Sequence, residues 1–199
     1  MRTMLPANRI AIAVALLVAV PLAAQGSERD DVHVLDECRL AAQVIRTGHP
    51  APRREWAYGF ITRCREIGPA ALASRWQETA SDEPTLQQLA RATTRLRTRE
   101  VFVAVSGAAR SAEHSPLVRI YAMAMLYSFA EPGSSVWMRD LLQPRENRSV
   151  RIYQVSGDGD RPNPLGDVEA EVEALLAEII AAGGEPQVIR VATEIHRLL

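Results

Sequence analysis

The most continuous apolar run outside the N-terminus covers residues 116–130, in which Arg119 is the single charged residue. A helix that is apolar on nearly every side lies in the middle of a fold, with neighbours on more than one face. Ser115 can cap the start of this helix and Pro116 suits its first turn. A Pro-Gly pair follows and ends the run. The pattern therefore predicts a central helix over residues 116–130.

Apolar residues recur at helical spacing along most of the remaining chain, and Gly or Pro separates the segments. The segment 99–112 begins with β-branched residues and could be a short strand, but the helical segments on both sides favour a helix. A short amphipathic piece covers residues 135–142. The predicted helices are 36–47, 53–67, 70–79, 85–97, 99–112, 116–130, 167–182 and 186–199. The chain is therefore predicted to be all-α.

Prolines recur at the starts of three of these helices. After each of Pro84, Pro116 and Pro186, an aliphatic residue follows two positions later and Ala six positions later. The first two prolines are 32 positions apart, and the third follows after 70, close to two further periods. The tetrapeptide 118–121, Val-Arg-Ile-Tyr, recurs 32 positions later at 150–153. A period in the thirties built from helix pairs is typical of an α-solenoid.

Residues 115–122, Ser-Pro-Leu-Val-Arg-Ile-Tyr-Ala, resemble the start of the second helix of a HEAT-type repeat. The resemblance covers residues 68–130 well and 167–199 more weakly. It implies a short α-solenoid-like array of antiparallel helix pairs that binds other proteins along a curved surface. Residues 131–166 do not fit the array, so we expect an irregular insertion there. A generic helical bundle is the alternative fold.

The N-terminus has the three parts of a secretory signal peptide. Arg2 and Arg9 precede an uncharged apolar core at residues 10–20, and small residues follow up to Ala24. We expect residues 1–24 to be a signal peptide cleaved after Ala24, residues 25–32 to be a loose leader, and residues 33–199 to form one helical domain. The mature protein would be periplasmic or secreted, with no membrane segment. An uncleaved anchor is the alternative.

The two cysteines, Cys38 and Cys64, both follow the predicted signal peptide. An even number of cysteines in an exported chain indicates a disulfide. If the helices 36–47 and 53–67 form a hairpin, the two thiols face inward at heights that differ by about 3 Å. A disulfide is therefore predicted, and a pair of buried free thiols is the alternative.

The composition is that of an ordinary globular protein and excludes some functions. The 199 residues are 47% hydrophobic, and 23 basic residues, all Arg, nearly balance 24 acids. Nucleic acid is not expected as a partner, because phosphate binding needs a surplus of basic residues. None of the four histidines has a metal-ligand spacing, and the sequence has no Gly-rich phosphate loop. We therefore expect no cofactor and no enzymatic activity.

One loop could carry chemistry. Asp158, Asp160, Asn163 and Asp167 offer oxygen atoms of the kind that Ca²⁺ prefers. The loop lacks the EF-hand spacing and the terminal Glu of that motif, and a solvated turn is favoured. A small metal-binding protein or enzyme with its site in this loop is the alternative function.

Basic residues are concentrated in the middle helices, where six arginines between residues 91 and 119 face two glutamates. Such a surplus can steer an acidic partner. The principal hypothesis is an exported, non-enzymatic scaffold that holds an envelope or secreted protein, or a peptide, on helices around 85–130. Arg91, Arg95 and Arg119 are the candidate contact residues, although Arg119 also fits a structural role as donor to a neighbouring turn. Self-association through the apolar C-terminus, Leu198-Leu199, is a third possibility.

Overall fold

The computed structural model describes residues 22–143, 149–154 and 163–199. The chain divides into an N-terminal unit that ends at Glu37 and a larger unit, Cys38–Leu199. The described elements are α1 Leu22–Thr47, α2 Arg54–Ile61, α3 Gly68–Trp76, α4 Glu83–Arg95, α5 Arg99–Arg110, α6 Pro116–Ala130, β1 Ser134–Val136, α7 Met138–Leu142, β2 Ile152–Gln154, α8 Glu169–Ala182 and α9 Pro186–His196. The all-α prediction is confirmed, because β1 and β2 are the only strands within the described residues.

The helix α1 starts earlier than the sequence pattern predicts. Residues 25–32, expected to be a loose leader, lie inside α1. Gly26 is the only Gly or Pro between Leu22 and Thr47, and extending a formed helix costs far less than starting one, so polar residues can continue it. The helix ends where Gly48 takes a φ of 69°. The predicted signal peptide falls largely on residues 1–21, outside the described residues, and stays a prediction.

The predicted disulfide is confirmed. Cys38 on α1 and Cys64 are joined through their Sγ atoms, and both residues are buried. The predicted helix 53–67 is too long, because α2 ends at Ile61 and Cys64 lies in the turn that follows. In that turn the amide of Cys64 bonds to the carbonyl of Ile61, three residues back, which tightens the chain before α3 begins.

The helix α6 is the centre of the larger unit, as its apolar pattern predicts. Every residue from Val118 to Phe129 is buried. The elements that pack against α6 are α4, α5, α7, α8, α9 and β1. Such a helix gains its stability from apolar burial on all sides rather than from an amphipathic stripe.

Three helices begin at a side-chain cap. Asp82, Thr98 and Ser115 each accept a hydrogen bond from the backbone N–H three residues later, at distances of 2.7, 3.3 and 3.4 Å. These bonds satisfy amide groups that have no partner inside the helix. The caps mark the starts of α4, α5 and α6. The segment 99–112, which could have been a strand, forms the helix α5 behind the cap of Thr98.

The described part of the interruption at 131–166 is more regular than expected. The strands β1 and β2 pair antiparallel, with Ser135 opposite Tyr153, and α7 follows β1. The piece 135–142, predicted to be one amphipathic segment, is thus a strand end followed by a short helix. Beneath β1, the hydroxyl groups of Ser128 and Ser135 form a buried hydrogen bond. The insertion is therefore attached to α6 through β1 and α7.

The C-terminal helices α8 and α9 pack on each other and both contact α6. Arg190 of α9 donates a hydrogen bond to the main-chain oxygen of Leu141 at the end of α7. This bond ties the last helix to the insertion. Among the described residues, no helix is both long enough and apolar enough to cross a bilayer.

Candidate functional site

The described surface has a groove between α3 and α5, with a volume of about 610 Å³. We call it the α3–α5 groove. Its lining on α5 runs from Arg99 to Ala108, which spans about 14 Å at the rise of an α-helix. His114, in the turn between α5 and α6, also lines it. The groove therefore lies along the outer face of α5. This helix falls within residues 85–130, for which partner binding is predicted.

The floor of the α3–α5 groove consists of small residues. Ala73 of α3 faces Ala104 and Ala108 of α5, which are one helical turn apart. Gly107 adds no side chain, and a Cβ atom placed there would meet no atom within 4 Å. Val103, 57% exposed, stands beside this floor. The groove thus offers an apolar surface that a second helix could approach closely.

One end of the groove carries an ion pair between Arg99 and Glu171. Arg99 forms two hydrogen bonds to the carboxylate of Glu171 on α8, at 2.7 and 2.8 Å, and its guanidinium lies 4.9 Å from the centroid of the Phe102 ring. The bonds to Glu171 raise the pKa of Arg99 above its ordinary value. A bidentate pair with this geometry orients the guanidinium at the groove mouth, where both side chains are half or more exposed.

The other end of the groove holds a histidine whose polar atoms are not paired. Both ring nitrogens of His114 are shielded from solvent, and neither has a hydrogen-bond partner among the residues that the structure describes. The turn is fixed, because the amide of Ser115 bonds to the carbonyl of Thr79 at 2.7 Å. A buried polar group without a partner costs about 1–3 kcal/mol. Because both nitrogens are shielded, a ligand in the groove could hydrogen-bond to His114 only if its ring moved.

The three arginines predicted to contact a partner do not lie together. Arg91 and Arg95 line a smaller cleft of about 210 Å³ between α2 and α4. Arg119 is buried, and its Nε donates a hydrogen bond to the carbonyl oxygen of Ala109 at 3.1 Å. Its role as a donor to a neighbouring turn is confirmed, and its proposed role in partner contact is corrected, since the apolar neighbours of α6 enclose it.

The candidate calcium loop lies partly outside the described residues, which omit Asp158 and Asp160. The amide group of Asn163 donates to the carbonyl of Phe129 at 2.8 Å and accepts from the amide of Leu165. Asp167 accepts from the amide of Glu169 at the start of α8. Across the described ranges, no cluster of three or more His, Cys, Asp or Glu side chains could hold a metal ion. The loop site stays a prediction.

Sequence reasoning missed an exposed aromatic pair on the insertion. The rings of Trp137 and Tyr153 meet edge to face, with centroids 5.4 Å apart. The guanidinium of Arg151 lies 5.0 Å from the Trp137 ring and forms two hydrogen bonds to Asp140. Trp137 and Tyr153 are 46% and 43% exposed. The signal available in the sequence was the occurrence of two aromatics near one short insertion, in a chain with few aromatics.

Comparison of the chain with protein-family models, with curated proteins and with solved structures finds no match in any of the three.

Proposed function

We propose that this protein is an exported, non-enzymatic helical binding protein that holds an amphipathic helix of a partner protein in the α3–α5 groove. The proposal keeps the HEAT-type array as the architecture, in which consecutive helices such as α5 and α6 pack as pairs. The observation that carries it is the open groove of about 610 Å³ with a floor of small apolar residues and polar groups at both ends.

The shape of the groove favours a helix as occupant. Its lining on α5 is about 14 Å long, which matches roughly three turns of a partner helix. A floor of Ala and Gly lets two helix axes approach to about 8 Å, so that partner side chains can pack on Val103. Helices that bind in grooves do so through apolar residues at positions i, i+3, i+4 and i+7.

The polar ends favour a fixed direction of binding. The imidazole of His114 lines one end, and the pair of Arg99 with Glu171 marks the other. The ion pair is the charged end, because the ring nitrogens of His114 are shielded from solvent. An apolar stripe with a polar residue at the end beside Arg99 is therefore the expected pattern in the partner.

Site-specific photo-crosslinking tests the proposal. A benzoylphenylalanine that replaces the exposed Val103 should cross-link one partner in an envelope extract, and mass spectrometry of the product should map to an amphipathic helix. Gly107→Leu, which places a side chain over the groove floor, should abolish the cross-link. Gly59→Leu is the matched control, because Gly59 is also a helix residue whose added Cβ meets no atom within 4 Å.

A photo-crosslinker at a second exposed position shows whether capture is specific to the α3–α5 groove. The same photo-crosslinker at Ile152, which is exposed on β2, should not capture this partner. Equal capture from both positions, or a cross-link that survives Gly107→Leu in a variant with the helical content of the wild type, would contradict the proposal.

A further inference from the structure

The cleft between α2 and α4 holds two cations that have no ion-pair partner among the described residues. We call it the arginine cleft; the residues on which the inference rests are Glu55, Tyr58, Gly59, Gln88, Arg91 and Arg95. Arg91 and Arg95 stand one helical turn apart on α4, and both are exposed. Within the part of the chain that the structure describes, no carboxylate lies within 4.0 Å of either guanidinium.

Arg91 and Arg95 differ in this respect from a group of other arginines near the helix surfaces. Six described arginines are paired with a carboxylate: Arg54, Arg75, Arg99, Arg110, Arg151 and Arg197. Two like charges at positions i and i+4 destabilise a helix by a few tenths of a kcal/mol. Arg91 and Arg95 therefore form a local positive site whose repulsion an anion would relieve.

The walls of the cleft add hydrogen-bonding groups and depth. Gln88 lies one turn before Arg91 on the same face of α4, and its amide can donate to an oxygen. On α2, Gly59 leaves the opposite wall open, because an added Cβ would meet no atom within 4 Å. The ring of Tyr58, 4% exposed, lines the cleft as well. An acidic side chain fits a volume of about 210 Å³ with these donors on one wall.

The charge balance favours an acidic peptide as the occupant. Among the residues that the structure describes, Glu55 is the one acid that lines the cleft with the two arginines. Guanidinium groups bind carboxylates through two parallel hydrogen bonds, which gives both affinity and orientation. We propose that the arginine cleft binds the carboxylates of an acidic peptide segment through Arg91 and Arg95. This second contact surface is separate from the α3–α5 groove and goes beyond the proposed function.

Fluorescence anisotropy with a fluorescein-labelled peptide of ten glutamates tests the inference on the full mature chain. Wild-type protein should bind it at low salt, and affinity should fall as salt screens the charges. Replacing Arg91 and Arg95 by Gln should weaken binding by about tenfold for each arginine, the change that the loss of one charge-assisted contact produces. Glu55→Gln should strengthen it, because the competing carboxylate charge is gone.

Matched variants separate a built site from general charge attraction. Arg46→Gln removes an exposed arginine of α1 that does not line the cleft and should leave the affinity unchanged. Gly59→Leu should weaken binding by filling the cleft, whereas Gly107→Leu should not. A peptide of ten lysines should not bind.

Three results would overturn the inference: no binding by the wild type, an unchanged affinity in the double Arg91→Gln, Arg95→Gln variant, or an equal loss in Arg46→Gln. Circular dichroism of each variant confirms that the helices persist. Gly107→Leu changes only the α3–α5 groove. If the proposed function fails, the cross-link from position 103 survives Gly107→Leu. If this inference fails, the double Arg91→Gln, Arg95→Gln variant binds the acidic peptide as the wild type does.

Discussion

The Nε atom of Arg119 donates a hydrogen bond to the main-chain oxygen of Ala109, 3.1 Å away, and joins α6 to the last turn of α5. The carbonyl of Ala109 is one of those that a helix leaves without an internal partner at its C-terminus. A cation there also interacts favourably with the helix dipole. One buried side chain therefore completes α5 and fixes the turn through which the chain enters the central helix.

Arg119→Met should lower the free energy of unfolding by about 2 kcal/mol, since it leaves the buried carbonyl of Ala109 without its donor. Urea denaturation followed by circular dichroism measures the change. Arg139→Met, at an exposed arginine of α7, is the control and should change stability by less than about 0.5 kcal/mol. Equal losses in the two variants would contradict the assigned role of Arg119.

Two glycines should respond to alanine in opposite directions. A Cβ at Gly68 would lie 2.8 Å from the carbonyl oxygen of Ile61 and 2.8 Å from Leu96 Cδ1. Gly68→Ala should therefore destabilise the protein by about 1–3 kcal/mol through overpacking. Gly107→Ala, in the open groove, should stabilise it by about 0.5–1 kcal/mol because alanine favours a helix. Thermal unfolding of both variants tests the signs; a destabilising Gly107→Ala would contradict the open space described at that position.

Reduction of the disulfide should lower stability by roughly 3.5 kcal/mol, the chain-entropy value for a loop with a sequence separation of 26 residues. Urea denaturation of the mature protein with and without dithiothreitol measures the loss. The double variant Cys38→Ser, Cys64→Ser should have the stability of the reduced protein and should not respond to dithiothreitol. A response of that variant to the reductant would show that the effect arises elsewhere.

The cap of α4 should make stability depend on pH at the acid end. Hydrogen bonds from Thr85, from its hydroxyl and its backbone N–H, hold the pKa of Asp82 below its ordinary value. The carboxylate then stabilises the fold above the unfolded pKa of about 3.9, and this stability is lost as pH falls through the lower folded pKa.

Asp82→Ala should therefore cost about 1 kcal/mol at pH 7. The difference from the wild type should shrink as pH falls below about 4. Urea denaturation at pH 7, 4 and 3 tests this. A difference that is the same at all three values would show that the charge of Asp82 does not matter.

Tyr121 should make the protein sensitive to alkali. It is buried in α6, where desolvation raises its pKa to about 12. Its hydroxyl lies beside Gln87 and Glu83, but it forms no well-shaped hydrogen bond with any described residue. Because the folded pKa exceeds that of the unfolded chain, the stability from the neutral phenol is complete below pH 10 or so and is lost as pH rises towards 12.

Tyr121→Phe should be nearly neutral at pH 8, since it removes an unpaired buried hydroxyl. Above pH 10 or so it should lose less stability than the wild type. Denaturation at pH 8 and pH 11 compares the two proteins, with Tyr153→Phe at an exposed site as the control. Parallel losses in all three proteins would contradict the assignment to Tyr121.

The parts of the fold that depend on local chemistry could be predicted from the sequence. The central helix was predicted at the residues where α6 lies, Pro116–Ala130, because its cap, its proline and its apolar run all act within a few positions. The pairing of Cys38 with Cys64 was predicted from the even number of cysteines and a helical hairpin, although Cys64 lies in the turn after α2 and not on the helix face that the pattern assigned to it. In both cases the residues that determine the structure are close in sequence, so periodicity and capping rules suffice.

The rest depends on contacts between distant segments. The tetrapeptide Val-Arg-Ile-Tyr is helical at 118–121, but its second copy at 150–153 leads into β2, where pairing with β1 replaces helix formation. A strand pair of this kind is decided by its partner and not by its own residues. The α3–α5 groove likewise arises because α3 packs on α5 rather than only on its neighbour in sequence, α4. Arg91 and Arg95 were predicted as partner-contact residues, but the cleft that they line has α2 as its other wall.

The complete enclosure of α6 has a consequence for local motion. Its backbone can meet solvent only when the surrounding helices separate, so its amide hydrogens should exchange with deuterium at a rate set by global unfolding. The amides of β2, whose residues are all exposed, should exchange through small local openings instead. The slowest-exchanging amides of the chain should thus mark the same helix that the apolar pattern singled out.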